Sequence, residues 1–252
     1  MQNKLVEELV KILGKANVLT TPEDLAVYGY DGTFQEARPE VVVLPESTAQ
    51  LSEVVKLAAA TRTPVVPRGM GSGLAAGSIP LPPGGMVLSM TRMNRILEID
   101  EENATVHAEA GVVTADLQAA VEKRGLFYPP DPSSIRHSTI GGNVACNAGG
   151  PRCLKYGVTG DYVLGLTVVL ADGRILVSLL HPALGWGLFL MNGKAAHENP
   201  TFIAQPGQRV RLRIEGEIAQ AHAGLVGVHL AQAVEVVLQL VPLGAELDGI
   251  EE

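Results

Sequence analysis

Residues 65–78 read VVPRGMGSGLAAGS, a short apolar run that breaks into a loop carrying Gly69, Gly71, Gly73 and Gly77 beside Arg68. Closely spaced glycines let successive backbone N–H groups turn toward one point, and such a concave nest binds an anion without several side chains. Arg68 stands where a guanidinium adds a charge-assisted bond to a phosphate oxygen. Several readings compete, the plainest being a flexible glycine turn. The run 71–76, GSGLAA, formally satisfies the G-x-G-x-x-G/A dinucleotide fingerprint, and Glu98 follows at the distance of a ribose-binding acid. That fingerprint requires a helix after the loop, and 79–85, IPLPPGG, cannot supply one. A Walker loop fails because no Gly-Lys-Ser/Thr closes the stretch. What remains is a glycine loop between strands whose own backbone holds phosphates.

The loop ends a strand–helix–strand unit. A strand over 41–44 precedes a helix over 48–60 that places Leu51, Val54, Val55 and Ala58 on one face, and Pro64 begins the next strand. This order favours a parallel pair with a right-handed crossover. Upstream, Leu5, Val6, Leu9, Ile12 and Leu13 recur at helix spacing with Gly14 at the end, and Thr21-Pro22-Glu23-Asp24 reads as a capped helix start. Downstream, strands are expected over 86–90, 96–99 and 104–109, then a helix capped by Thr114 and running to about Lys123, with Gly125 beyond it. Residues 161–170 and 174–178 form a hairpin across Asp172-Gly173. His107, on an alternating strand, is read as structural.

With 252 residues, 46% of them hydrophobic and 18% charged, the chain is a folded globular protein with room for a sizeable core. A net charge of −8 without basic clusters disfavours nucleic acid and anionic membrane surfaces as partners. No segment has the length and apolarity of a membrane span, and residues 1–19 lack a signal peptide's basic start and cleavage site, so a cytoplasmic location is expected. Cys146 and Cys153 are read as ordinary thiols, and no metal site is expected. His181, His197, His222 and His229 show no ligand spacing.

A second informative stretch is 128–160, YPPDPSSIRHSTIGGNVACNAGGPRCLKYGVTG, rich in small residues and side-chain amides. Its length without clear periodicity is unusual unless the loop is functional, an irregular surface loop being the alternative. The segment 143–147, NVACN, flanked by glycine pairs, suits a turn or two of helix whose N-terminal amides would form a second anion site. The lack of large side chains leaves room for a flat ligand.

Together PRGMGSGLAAGS, LEID, YPPDPSS and STIGGNVACNAGGPRCLKYGVTGDYVLGLTVVLADGRIL resemble the FAD-binding domain of vanillyl-alcohol oxidase-type flavoproteins, the PCMH type. Within that superfamily the resemblance is to the FAD-linked subunit of bacterial glycolate oxidase and to D-lactate dehydrogenases of the same branch, over about residues 25–178. It implies an α+β fold of two lobes, a small one with parallel strands in a βαβ unit and a larger one with an antiparallel sheet, with the substrate (cap) domain absent. Residues 1–40 would be an N-terminal helical segment, 41–178 the FAD-binding domain and 179–252 a divergent tail. By the resemblance, Arg68, Gly69, Met70, Gly71, Ser72, Gly73 and Leu74 wrap the FAD diphosphate. Pro130, Asp131, Ser134, Ser138, Thr139, Gly141 and Gly142 line the ribityl chain and flavin, and Asn143, Ala145, Asn147, Gly150, Tyr156 and Gly157 continue that wall. Relatives with a covalently attached flavin at this loop carry histidine where this chain has Ser72, so the FAD is expected to be non-covalent.

The implied reaction is oxidation of a small D-2-hydroxy acid by hydride transfer to the flavin, with reoxidation by a quinone, a partner subunit or a soluble acceptor. Arg152 and Lys155 are candidates for orienting an anionic substrate, or are solvated loop charges. From Leu179 the family's further motifs are not legible. The tail instead suggests a hairpin around Pro206-Gly207, a strand over 210–214 and an Ala/Val/Leu-rich run to Val241. It carries faint echoes of a domain ending at 224–228 and 238–243. Completion of the FAD lobe and a frameshifted or truncated end both account for it. The catalytic residues stay unassigned, and the alternative function is a truncated, non-catalytic FAD-binding module or one that needs a partner chain for the substrate site.

Overall fold

The computed structural model describes residues 2–81, 83–179 and 231–243. Helix α1 (Gln2–Leu13) presents the expected apolar stripe, with Leu9 and Leu13 buried. A short strand β1 (Val18–Leu19) leads to α2 (Pro22–Val27), where Thr21 accepts the Asp24 amide at 3.2 Å as the expected cap. Strand β2 (Val41–Val43), helix α3 (Thr48–Thr61), and strands β3 (Val65–Arg68) and β4 (Met86–Ser89) complete a four-stranded sheet in the order β1-β2-β4-β3. The expected βαβ unit is corrected in one respect. β2 and β3 are each parallel to β4, which lies between them, so they are not direct neighbours. Composition explains the placement: Met86, Val87 and Leu88 are fully buried, as a central strand requires, while Pro67 lacks an N–H and suits the edge.

The larger lobe contains β5 (Ile96–Asp100), β6 (Thr105–Glu109), α4 (Thr114–Glu122), β7 (Leu126–Phe127), α5 (Ile140–Cys146), α6 (Cys153–Tyr156), β8 (Val163–Leu170), β9 (Ile175–Leu179), β10 (Ala231–Gln239) and β11 (Val241–Pro242). Its main sheet is antiparallel, ordered β5-β6-β10-β8-β9, and β11 pairs with β7. The hairpin expected across Asp172-Gly173 is β8–β9. Thr114 is not the cap of α4 but its first residue. Val113 takes the cap position without a side-chain bond, because the fully buried Thr114 hydroxyl is drawn into an internal polar network.

β10 sits in the middle of the antiparallel sheet, paired to β6 on one side and β8 on the other. A bulge at Val234 switches its alternation, so Val234 joins one core while Val236 and Leu238 join the other. The first core packs α1 and α3 against β2, β4 and the facing residues Ala110 and Val169. The second gathers Val106, Ala108 and Leu238 with Leu117, Val121, Tyr128 and Ile140. Polar ties cross between the lobes as well. The Thr48 hydroxyl donates to Glu235 Oε1 at 3.2 Å, and Glu235 Oε2 meets His107 Nε2 at 3.0 Å and the Thr167 hydroxyl at 3.2 Å. The tail histidines, the hairpin around Pro206-Gly207, the 210–214 strand and the 224–228 echo lie outside the described residues. Among the described residues no helix is long and apolar enough to cross a membrane.

Candidate functional site

The glycine loop leaves the edge strand β3 at Arg68, whose carbonyl accepts the Met90 amide at 2.9 Å and so fixes where the loop begins. From Gly69 to Ser78 no main-chain N–H donates to an acceptor among the described residues. Ten consecutive backbone donors are thus without an acceptor among the described residues, a run that secondary structure ordinarily consumes. Met70 and Leu74 on this loop are exposed.

The second stretch meets the loop at its first glycine. A Cβ at Gly69 would run into Thr139 Oγ1, and Thr139 Cγ2 and Cβ would lie within 3.3 and 3.4 Å, so only glycine allows this approach. Thr139 is itself held in place. It caps α5 by accepting the Gly142 amide at 3.3 Å and bridges Val113 on the antiparallel side. Gly69 and Thr139, 70 positions apart in sequence, are therefore in direct contact.

The start of α5 does not supply the second anion site that its glycines suggest. Ile140 donates to Val112 O at 2.9 Å, Gly141 to Ala110 O at 2.8 Å, Asn143 to Thr139 O at 2.8 Å, and Gly142 to the Thr139 hydroxyl. The helix starts directly against the residues following β6, and their carbonyls take its amides. Among the described residues, the loop amides 69–78 have no acceptor, whereas the amides of 140–143 are all engaged.

Several polar side chains expected on the wall are committed to the protein. Asn143 Nδ2 donates to Thr114 Oγ1 at 2.7 Å, and Thr114 Oγ1 also lies 2.8 Å from the Ser138 hydroxyl. Asn147 Oδ1 accepts the Gly160 amide at 2.8 Å, and the Ser134 carbonyl accepts the amides of His137 and Ser138. Asp131 accepts the Arg152 amide at 3.1 Å, pairs with its Nε at 3.5 Å, and packs against Gly150. The Tyr156 carbonyl accepts the Tyr162 hydroxyl, while Gly157 ends α6. Pro130 lends its carbonyl to Gln118 at 3.0 Å, and Ala145 lies exposed on α5. Their polar groups are thus engaged within the protein itself. Arg152 also lies over the Phe127 ring at 4.9 Å and Lys155 over Tyr156 at 4.8 Å. Cys146 and Cys153 are free.

One supporting segment escaped the sequence reading. Gly32 N–H donates to Gly73 O at 3.0 Å, and the neighbouring Asp31, 8% exposed, lies close to Arg68 and Ser78. Asp-Gly-Thr is an Asx-turn signal, and Asp31 does accept the Thr33 amide at 2.8 Å, but a turn signal alone does not reveal what the turn props up.

Residues 39–178 match the family described as FAD binding domain. The chain is 49% identical over 171 residues to the glycolate oxidase subunit GlcD of Bacillus subtilis (strain 168), a match covering 68% of this chain and 36% of that protein. It is 46% identical over 156 residues to a D-lactate dehydrogenase of Anaerostipes hadrus, covering 62% and 31%. To a D-2-hydroxyglutarate dehydrogenase of Stutzerimonas stutzeri (strain A1501) it is 38% identical over 188 residues, covering 73% and 40%. The match thus spans well under half the length of these curated relatives. Among solved structures, p-cresol methylhydroxylase with substrate bound superposes with a TM-score of 0.70 at 20% identity, over 95% of this chain and 43% of that one. An alkyldihydroxyacetonephosphate synthase gives 0.71 at 20% identity, over 95% and 40%.

Proposed function

Because the chain belongs to the FAD-binding domain family, we propose that it carries the flavin half of an oxidoreductase acting on a small D-2-hydroxy acid, and that loop 69–78 cradles the FAD diphosphate. FAD is the cofactor this family binds. One observation carries the placement: a row of loop amides that donate to no acceptor among the described residues, with the first glycine resting on Thr139. Such a row stabilises phosphate oxygens through main-chain donors alone. The residues named from the resemblance divide the work. Gly69, Met70, Gly71, Ser72, Gly73 and Leu74 present amides to the diphosphate, on the loop that Arg68 opens. Thr139, Gly141 and Gly142 form the adjoining wall, backed by Ser138 and Asn143, while Pro130, Asp131, Ser134, Ala145, Asn147, Gly150, Tyr156 and Gly157 continue it. Residues 231–243 belong to the same FAD lobe, since β10 lies at the centre of its sheet.

When bound, the flavin supplies the hydride-accepting ring. The protein orients the dinucleotide and leaves the attachment non-covalent, since Ser72 offers no ring nitrogen for a linkage. The glycolate, D-lactate and D-2-hydroxyglutarate relatives support a 2-hydroxy acid as substrate class. A quinone or partner subunit takes the electrons onward.

The test is reconstitution of the purified chain with FAD, followed by anaerobic addition of glycolate, D-lactate or D-2-hydroxyglutarate. Uptake of FAD that acid precipitation releases, then bleaching of its absorption by one of these acids, is the expected result. Failure to take up FAD sinks the site. Uptake without bleaching by any of them sinks the oxidoreductase reading for this chain and leaves an FAD-binding module.

A further inference from the structure

Resting on the reading of loop 69–78 as the diphosphate cradle, we infer that Arg68 and Asp31 are positioning residues, a brace beneath the loop that sets its shape without touching the phosphates. The Arg68 side chain turns inward and is only 6% exposed. Its guanidinium lies over the Tyr28 ring at 5.7 Å and directly beneath Gly71, where φ is +74° and any Cβ would collide with Nη2, Cζ and Nη1. Nη1 donates to both the carbonyl and the hydroxyl of Ser78, at the far end of the loop, each at 3.4 Å. The Ser78 hydroxyl in turn donates to Asp31 Oδ2 at 3.4 Å.

Asp31 is anchored independently. Its Oδ1 accepts the Thr33 amide at 2.8 Å and the Thr33 hydroxyl at 2.6 Å. The next residue, Gly32, donates its amide to Gly73 O at the middle of the loop. Start, middle and end of the loop are therefore all fastened to Arg68 and the Asp31-Gly32 turn. Burial pushes the guanidinium pKa down, and the Asp31 charge opposes that shift.

The brace has a physical purpose. A loop of four glycines has a large conformational entropy, and a diphosphate arriving at a floppy loop must order it. Fastening it beforehand removes that cost from binding. The alternative role, Arg68 as a direct phosphate ligand, makes the opposite prediction about Asp31. A direct ligand is freed when a competing carboxylate is neutralised, whereas a brace is weakened.

The experiment compares wild type with Asp31→Asn, Ser78→Ala and Arg68→Gln in two measurements on the full chain. FAD dissociation constants come from flavin fluorescence titration of the cofactor-free protein. Backbone order parameters of Gly71 and Gly73 come from NMR relaxation before any FAD is added. Circular dichroism selects the variants that keep the fold, and Asp31→Asn and Ser78→Ala carry the test where Arg68→Gln does not fold. The brace predicts that each variant raises the dissociation constant by about fivefold or more and lowers both order parameters, with Asp31→Asn and Arg68→Gln non-additive. It also predicts that the salt dependence of binding is the same in Arg68→Gln as in wild type, since the phosphates lose no charged partner. FAD binding that is unchanged or tighter in Asp31→Asn, with unchanged order parameters, overturns the brace. If wild type itself takes up no FAD, the cofactor reading fails, and the order parameters alone still decide the brace.

Discussion

At Gly69 a hydrogen atom separates a working contact from a clash. Replacing it with valine forces a side chain into Thr139, so Gly69→Val is expected to abolish FAD retention while circular dichroism stays near wild type, checked by the flavin-to-protein absorbance ratio after gel filtration. Tyr128 shows a different kind of constraint. Its ring is fully buried, stacked edge-on to Tyr162 at 6.0 Å, yet its hydroxyl has no hydrogen-bond partner among the described residues. Burial pushes this phenol well above its ordinary range. A tyrosine is neutral when protonated, so the folded chain keeps the proton where the unfolded chain loses it. The associated stability is complete below the free phenol's pKa of about 10 and is lost progressively as the pH rises from there toward the raised folded-state value. Tyr128→Phe is expected to leave stability at pH 7 unchanged or raised by about 1 kcal/mol, and to flatten the alkaline limb, as urea titrations at several pH values would show.

Helix α5 shows what a glycine-rich element can and cannot announce. A short helix is legible in the sequence over 143–147, but its start is not: it begins at Ile140, with Thr139 as its cap, and takes in the glycine pair expected to flank it. What the pattern hides is that the amides of 140–143 are already taken by Val112, Ala110 and Thr139. Hydrogen-bond vacancy belongs to the neighbourhood of an element, and spacing alone does not encode it. The 69–78 loop was legible for the same reason in reverse: a proline-rich sequel leaves its amides no helix to enter. Strand order was less so, because β2 and β3 read alike from their own residues and only the apolar run of β4 decides which strand is central. Thr139→Ala removes the α5 cap and is expected to cost about 1 kcal/mol, a drop in Tm of about 2–4 °C. It should also weaken FAD binding, because the wall beside Gly69 loses its fixed edge. Differential scanning calorimetry with and without FAD separates the two effects.

Among the described residues, the two lobes are joined by packing of α1 and α3, by the Ser52 hydroxyl donating to the Gly173 carbonyl, and by the carboxylate of Glu235. Glu235 collects bonds from Thr48 on the small lobe and from His107 and Thr167 on the large one. Glu235→Ala strands all three donors, and the expected loss is about 1–2 kcal/mol, read from the urea midpoint with the slope unchanged. The residues of this cluster were visible in the sequence, but their meeting was not, since it depends on pairings between strands far apart in the chain.

That distance has a consequence for synthesis. Glu235 follows Thr167 by 68 residues and His107 by 128. At about 5–20 residues per second on the ribosome, β8 emerges roughly 3–14 s before the strand that must slot in beside it. During that interval β6 and β8 each present an open row of amides and carbonyls to whatever lies nearby, which makes the nascent chain a natural client for chaperones.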